Sequence, residues 1–222
     1  MTSAAPPPVI AIDGPSASGK GTVAQLVAGE LGFHYLDSGA LYRAVALAAL
    51  RRDADLESTL ETAIIALNLD IKFYNDRIEL NGTDVTDALR SEAVGAGASR
   101  IAAYPEVRAA LLDRQKAFRE PPGLVADGRD MGSVVFPDAK VKIYLTASTE
   151  ERAQRRYKQL IGKGMSASMG ALLQEIRDRD ARDSARAVSP LQKCADAIEL
   201  DTTGMSIEAA VAAVLAAYRT AR

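Results

Sequence analysis

Residues 14–22 read GPSASGKGT and nearly fit the phosphate-binding pattern G-x-x-x-x-G-K-[ST]. Gly14, Gly19 and Lys20 fall in register, but Gly21 stands where a hydroxyl would ligate magnesium, and a threonine follows one residue later. Glycines leave the backbone N–H groups open to phosphate oxygens, and a lysine can follow a phosphoryl group during its transfer. The stretch therefore predicts a loop that binds phosphate and serves phosphoryl transfer.

The segments on either side of this loop favour a true phosphate-binding loop over a chance glycine-rich turn. PVIAID, residues 8–13, is short, apolar and rich in β-branched residues, which is typical of a buried strand. TVAQLVAGELG, residues 22–32, has apolar residues at helical spacing, and Gly32 is expected to end that helix. No N-K-x-D segment occurs in the sequence, which argues against a GTPase.

Two polar segments follow other predicted strands. LDSGALYRA, residues 36–44, offers the hydroxyl of Ser38 and, one helical turn on, the cation of Arg43. DGRDMG covers residues 127–132. Ligands of open α/β sheets bind beyond the carboxyl ends of the strands, so both segments suit a phosphate acceptor. Taken alone, DGRDMG would equally fit a surface turn with local ion pairs.

A charged segment near the C-terminus, EIRDRDARDSARAV, covers residues 175–188. On a helix, Arg179, Asp183 and Arg186 are spaced i, i+4 and i+7 and share one face. The face suits a solvated helix with ion pairs, and it equally suits a phosphate and a sugar hydroxyl. The sequence leaves both interpretations open.

TEERAQRRYKQLIGK, residues 149–163, is strongly basic. Its cations are Arg152, Arg155, Arg156, Lys158 and Lys163. Such a segment can close over ATP, exclude water and neutralise charge, or it can be a basic surface helix. Tyr157 is its one aromatic residue, which makes nucleic-acid binding the weaker explanation.

The remaining chain alternates predicted strands and helices, which indicates a parallel α/β sheet with helices on both faces. The later strands are predicted at 33–39, 123–127, 141–147 and 197–201, and the helices at about 40–50, 103–119, 149–162, 167–186 and 206–220. Residues 69–87 break this rhythm with short alternating segments and the turn pairs ND (75–76) and NG (81–82). They predict a small antiparallel β meander inserted into the α/β chain.

Composition bounds the function further. The 222 residues carry a formal net charge of -2, so no overall basic field attracts nucleic acid. Cys194 is the single cysteine and His34 the single histidine, which excludes an intrachain disulfide and a multi-histidine metal site. The N-terminus lacks the charges of a signal peptide, and no apolar run approaches membrane-spanning length. We therefore expect a cytoplasmic protein without a membrane or nucleic-acid partner.

Over nearly its whole length the chain resembles the bacterial cytidylate kinases. The matching stretches are IDGPSASGKGT, YLDSGALYRAVALAAL, GLVADGRDMGSVVFPDAKVKIYLTAS, ERAQRR and RDARDSARAVSPL. The resemblance implies phosphoryl transfer from ATP to CMP or dCMP with Mg²⁺, in pyrimidine nucleotide metabolism, by a monomer. It implies an α/β fold of the P-loop NTPase type, with one kinase domain over 8–222 after an extended tail, 1–7. Within that domain it implies a nucleotide-binding insertion at about 64–100 and a helical lid at about 149–186.

The resemblance also carries site residues over by position. The residues that the resemblance assigns to ATP binding are Gly14, Pro15, Ser16, Ala17, Ser18, Gly19, Lys20, Gly21, Thr22 and Arg155. The CMP phosphate falls to Ser38, Arg43, Arg129 and Arg186, the sugar to Arg179 and Asp183, and the base to Ser99, Arg108 and Asp130. The catalytic charges are expected from Lys20, Arg129, Arg155 and Arg186.

The loop departs from the resemblance at one place, where Gly-Ala is expected and Ala17-Ser18 stands. The magnesium ligands are not assigned; Asp13, Asp37 and Asp127 are candidates at predicted strand ends. Two alternatives stay open. One is another small P-loop kinase, such as one acting on shikimate or dephospho-coenzyme A, against which the β meander and Asp130 argue. The other is an ATP-binding regulatory module without turnover.

Overall fold

The computed structural model describes residues 5–74, 77–162 and 164–221. The chain forms two compact units, residues 1–36 with 117–222 and residues 37–116. The strands are β1 (Val9–Asp13), β2 (His34–Asp37), β3 (Ile71–Phe73), β4 (Ile78–Leu80), β5 (Thr83–Asp84), β6 (Leu124–Gly128), β7 (Val141–Thr146) and β8 (Ile198–Asp201). The helices are α1 (Lys20–Leu31), α2 (Ser38–Leu50), α3 (Thr59–Leu67), α4 (Glu92–Ile101), α5 (Pro105–Lys116), α6 (Thr149–Ile161), α7 (Met169–Ser184) and α8 (Ile207–Thr220). Two short turns, 3₁₀-helical Ala88–Arg90 and π-helical Met131–Val135, complete the elements of the residues described.

The larger unit is built on a five-stranded sheet in the order β2-β6-β1-β7-β8. β1 pairs in parallel with β6 and β7, and β7 pairs in parallel with β8. Every residue of β1 and β6 is buried, as expected for central strands covered on both faces. Side chains of α1 and α8, such as Val27 and Val214, pack with Ile10, Val125 and Leu145 of the sheet. The predicted parallel α/β sheet flanked by helices is confirmed.

The structure differs from the prediction at two element boundaries and by two additional helices. The strand predicted at 33–39 ends at Asp37, whose carboxylate accepts from the backbone N–H of Ala40 at 3.1 Å and caps α2. Helix α7 ends at Ser184, so the prediction that Arg186 shares its face is wrong. Helices α3 and α4 were not predicted at all.

The smaller unit packs α2 against α4 and α3 against α5. Its antiparallel sheet has the order β3-β4-β5, with Ile71 opposite Leu80. The backbone of Asn81 and Gly82 is left-handed, with φ of 50° and 72°, as a tight hairpin requires. The predicted β meander and its NG turn are confirmed, whereas the predicted ND turn at 75–76 lies outside the described residues. Among the helices described, none combines the length and apolar character needed to cross a bilayer.

Candidate active site

The glycine-rich loop runs from the end of β1 to the start of α1. A side chain at Gly14 would overlap the backbone carbonyl oxygen of Leu145, so only glycine lets the loop lie against β7. The hydroxyls of Ser16 and Ser18 are buried, and neither has a hydrogen-bond partner among the described residues. Buried hydroxyls are normally paired, and phosphate oxygens would supply the missing partners. The predicted loop therefore has the form of a phosphate cradle.

Lys20 and Asp127 place opposite charges at the foot of this loop. The Lys20 ammonium donates to the Pro15 carbonyl at 3.2 Å and lies 3.8 Å from the Asp127 carboxylate. Both side chains are almost fully buried, and Asp127 also accepts from the Tyr35 hydroxyl at 3.3 Å. A β-carbon on Gly21 would lie 3.0 Å from the Asp127 carboxylate. The missing hydroxyl at position 21 thus leaves room for an aspartate on the neighbouring strand.

A cluster of arginines surrounds Asp183, which is 1% exposed. One carboxylate oxygen accepts from Nε of Arg129 at 2.9 Å, and the other accepts from Arg186. Burial raises the pKa of Asp183, but the charges of Arg129, Arg186 and Arg179 more than offset it, so this pKa lies below its ordinary value. The structure therefore brings four predicted acceptor-site residues together, although Arg186 reaches Asp183 from beyond the helix end.

The loop after β6 carries Arg129 and Asp130 and leads into the π-helical turn Met131–Val135. Asp130 is 5% exposed and occupies the N-cap position without making a side-chain cap bond. The cap comes instead from Asp13, whose two carboxylate oxygens accept from the backbone N–H groups of Met131 at 2.8 Å and Gly132 at 2.9 Å. Asp13 therefore belongs to the architecture of this loop.

The predicted lid cations Arg155 and Arg152 are both bound to the glycine-rich loop. Arg155 donates to the Ser18 carbonyl at 2.8 Å and to the Thr202 carbonyl at 2.7 Å. Arg152, 4% exposed, donates to the Ser16 carbonyl at 3.2 Å.

Two contacts of these arginines were missed by the sequence analysis. Arg152 is paired with Asp180 of α7, with both guanidinium nitrogens at 3.0 and 2.6 Å from the carboxylate oxygens. Arg155 donates to the hydroxyl of Thr202 at 3.1 Å; Thr202 follows β8, and the same hydroxyl donates to the Thr146 carbonyl at 3.0 Å. The rule that ligands collect at carboxyl strand ends could have drawn attention to Thr202, whereas nothing local marks Asp180. Lys163 lies outside the described residues.

Four predicted site residues lie in the smaller unit. Ser38 is buried at the start of α2, and Arg43 of the same helix donates to the Leu89 carbonyl at 3.1 Å. Ser99 is buried in α4, and Arg108 of α5 donates to the Ala102 carbonyl at 3.3 Å.

The three candidate magnesium ligands differ in the hydrogen bonds that their carboxylates already make. Asp13 uses both oxygens on backbone N–H groups, and Asp37 caps α2. Asp127 stands beside the phosphate loop and fits a magnesium ion, which typically takes one or two carboxylates together with waters and phosphates. Across residues 5–74, 77–162 and 164–221 no cluster of three or more His, Cys, Asp or Glu side chains is arranged to hold a metal by itself.

Comparison with known proteins extends over almost the whole chain. The family model described as cytidylate kinase matches residues 10–220. A cytidylate kinase from Nitrosomonas europaea is 59% identical over 215 residues, covering 97% of this chain and 96% of that protein. One from Pseudomonas aeruginosa is 58% identical over 214 residues, covering 94% and 93%. A gluconokinase from Sinorhizobium meliloti 1021 superposes with a TM-score of 0.51 at 14% identity, covering 96% and 93%, which indicates a shared fold alone.

Proposed function

The chain belongs to the cytidylate kinase family, and we propose that it transfers the γ-phosphoryl group of ATP to CMP and dCMP, giving CDP and dCDP for pyrimidine nucleotide metabolism. The observation that carries the proposal is the pairing of β1 with β6, in which Asp13 lies beside Gly128. The phosphate loop begins directly after β1, and Arg129 follows directly after β6. The residues proposed to bind the phosphates of ATP and the residue proposed to bind the phosphate of CMP therefore follow adjacent strand ends.

On the donor side, Gly14 to Thr22 bind the ATP phosphates through backbone N–H groups and the two serine hydroxyls. Lys20 stays with the transferring phosphoryl group and balances its charge. Arg155 holds the loop from the Ser18 carbonyl and places a second cation beside it. Asp127 would hold Mg²⁺, directly or through water, and the ion would neutralise charge on the β- and γ-phosphates.

On the acceptor side, we assign roles by unit. In the larger unit, Arg129 and Arg186 bind the CMP phosphate, Arg179 and Asp183 bind the sugar, and Asp130 reads the base. In the smaller unit, Ser38 and Arg43 are assigned to the phosphate, and Ser99 and Arg108 to the base. A guanidinium carries five donors, so Asp183 can orient both of its arginines while they contact phosphate oxygens.

Phosphoryl transfer to CMP requires charge stabilisation and positioning from the protein more than it requires proton transfer. A phosphate monoester has its second pKa near 6, so the attacking oxygen of CMP is already deprotonated at about pH 7. No general base is then required, and the protein must orient the two phosphates in line, balance their charge and exclude water. The buried Lys20 and the Arg129–Asp183–Arg186 cluster have the properties that this task requires.

The decisive experiment measures ADP release over a panel of acceptors. We expect turnover with CMP and dCMP, and none with shikimate or dephospho-coenzyme A. Lys20→Ala should lower kcat by about 100-fold or more, the scale seen when a group that stabilises transition-state charge is removed. Lys116→Ala, at an exposed lysine of α5, is the matched control. ATP binding without turnover on any acceptor would favour the regulatory module, and turnover on shikimate would favour the other kinases.

We further propose that the chain acts as a cytoplasmic monomer on small-molecule nucleotides, with neither nucleic acid nor membrane as a partner. The net charge of -2 supports the absence of a nucleic-acid partner, and the use of ATP supports a cytoplasmic location. We retain one kinase domain over 8–222 after the tail 1–7, with the nucleotide-binding insertion at about 64–100 and the lid at about 149–186. Sedimentation equilibrium with and without CMP tests the monomer.

A further inference from the structure

Asp13 is a buried carboxylate for which the proposed reaction gives no role. It is the last residue of β1 and is 5% exposed. Its oxygens accept from the first two N–H groups of the π-helical turn, those of Met131 and Gly132. These are among the backbone donors that a helix leaves without an internal partner at its start.

The cap is unusual because it comes from another strand. A residue at the N-cap position normally supplies the capping oxygen itself. Here Asp130 occupies that position and makes no cap bond, while Asp13, more than one hundred residues earlier in the chain, supplies both. The parallel register sets Asp13 beside Gly128, so its side chain reaches the turn directly beyond β6.

We propose that Asp13 is a positioning residue, which fixes the backbone of residues 129–132 and thereby the directions in which Arg129 and Asp130 present their side chains. The inference rests on the proposed roles of these two residues toward the CMP phosphate and base. In this role Asp13 contacts backbone N–H groups and neither nucleotide. It acts by tying the acceptor loop to the strand from which the phosphate loop departs.

The need for two acceptor oxygens explains why a carboxylate is kept at this place. Burying a carboxylate is costly, and burial raises the pKa of Asp13 to about 7, with Asp127 and Asp130 adding repulsion. An asparagine would avoid that cost, but it offers one acceptor oxygen and turns an amide donor toward the second N–H group. The ionised carboxylate of Asp13 therefore satisfies both backbone bonds, which no smaller or neutral side chain of similar shape would do.

Asp13→Asn tests the inference in the full-length enzyme. We expect faster hydrogen exchange at the amides of Met131 and Gly132, measured by NMR. We also expect the KM for CMP to rise by about tenfold or more, the effect of losing one charge-assisted hydrogen bond, and the preference for CMP over UMP to narrow. The KM for ATP should stay within about twofold, because the phosphate loop keeps its own contacts.

Val214→Ala is the matched control, since it removes buried side-chain atoms from α8 without touching this loop. It should lower stability and leave exchange at both amides, the KM for CMP and the base preference unchanged. If Asp13→Asn does not fold, Asp13→Ser, which keeps one oxygen, is read in the same assays. Unchanged exchange at Met131 and Gly132 would overturn the inference, and so would equal rises in the KM of ATP and CMP.

Two further variants separate this inference from the proposed function. Arg129→Ala and Asp130→Asn test the assigned roles directly. If they impair CMP use while Asp13→Asn does not, the positioning role is wrong and the proposed function stands. If Arg129→Ala and Asp130→Asn both leave CMP kinetics unchanged, the roles assigned to Arg129 and Asp130 are wrong, and the positioning role of Asp13 is rejected with them.

Discussion

Arg129 donates from Nε to the Asp183 carboxylate at 2.9 Å, and this bond joins the loop after β6 to helix α7. The second oxygen of Asp183 accepts from Arg186, so one buried carboxylate holds two of the three arginines assigned to the CMP phosphate. Without it, two guanidinium groups would face each other with no counter-charge between them. Asp183 therefore orients the phosphate-binding cations in addition to its proposed contact with the sugar.

Asp183→Ala should consequently raise the KM for both CMP and dCMP, with the larger rise for the nucleotide whose hydroxyl it contacts. The fold should lose about 3–5 kcal/mol of stability, the usual result of removing one partner from a buried ion pair. Asp178→Ala, at an exposed position of the same helix, is the control. Steady-state kinetics with both nucleotides decide the matter, and unchanged KM values for both would leave Asp183 a purely structural residue.

The pH dependence of stability provides a separate check on the same carboxylate. The pKa of Asp183 is lower in the folded protein than its ordinary value of 3.8, so the unfolded chain binds the proton more tightly. Its stabilising contribution is then complete above about pH 4 and is lost as the pH falls through the folded pKa. Asp183→Asn should remove this acid-side loss.

Urea titrations at several pH values below about 5 measure the difference between the two proteins. Asp13, with its pKa raised to about 7, has the opposite effect, because the folded state holds its proton more tightly and stability falls as the pH rises toward 7. That slope is common to both proteins and cancels in the comparison. If the free energy of unfolding depends on pH below about 5 in the same way for the wild type and Asp183→Asn, the pKa of Asp183 is not lowered in the folded protein.

Ala17 carries backbone strain that the sequence hints at. It stands where the family resemblance leads us to expect glycine, and its φ of 57° lies in the left-handed region. That region costs a side-chain-bearing residue roughly 1–2 kcal/mol, while glycine costs up to about 1 kcal/mol through the unfolded chain. Ala17→Gly should therefore stabilise the fold by up to about 1 kcal/mol.

Thermal unfolding measures this effect, with Ala109→Gly as the control. Ala109 is exposed in helix α5, where glycine should destabilise the fold by about 1 kcal/mol. The two substitutions are chemically identical and should have opposite signs. A loss of stability in Ala17→Gly would mean that the loop is relaxed with alanine in place.

Local signals explain what the sequence predicted. The loop 14–22 and the strands around it follow from spacing and composition within about twenty residues. The hairpin turn at Asn81-Gly82 follows from two residues alone. Helix α3 was missed although Ser58 and Glu61 form the S-x-x-E pattern of a helix start, with the Ser58 hydroxyl accepting from the Glu61 N–H.

The parts that could not be predicted depend on contacts between distant segments. The bonds from Asp13 to the turn after β6 and from Arg152 to Asp180 need the strand order and the packing of α6 on α7. Helix α4 contains Gly95 and Gly97, which weaken its intrinsic helix propensity, so tertiary packing against α2 must stabilise it. Sequence patterns identified the side chains that bear charge, while the tertiary fold determined their partners.

The most specific prediction for this site is that it prefers cytosine over uracil. Cytosine carries an exocyclic amino group where uracil carries a carbonyl oxygen, and a carboxylate can accept from the former but repels the latter. We assign this contact to Asp130, which is 5% exposed and lies next to Arg129 in the acceptor loop. An unpaired polar contact in a buried site costs about 1–3 kcal/mol, which corresponds to roughly 5- to 150-fold in selectivity. CMP should be preferred over UMP by a factor within this range.

Asp130→Asn should narrow that preference, because the asparagine amide can donate to the uracil carbonyl. The quantity to measure is the ratio of kcat/KM for CMP to that for UMP, in the wild type and in the variant. Asp138→Asn serves as the control, since Asp138 pairs with Arg119 at 2.8 Å and is exposed. A folded, active Asp130→Asn enzyme with an unchanged ratio would show that Asp130 does not read the base, and its burial would then need a structural explanation.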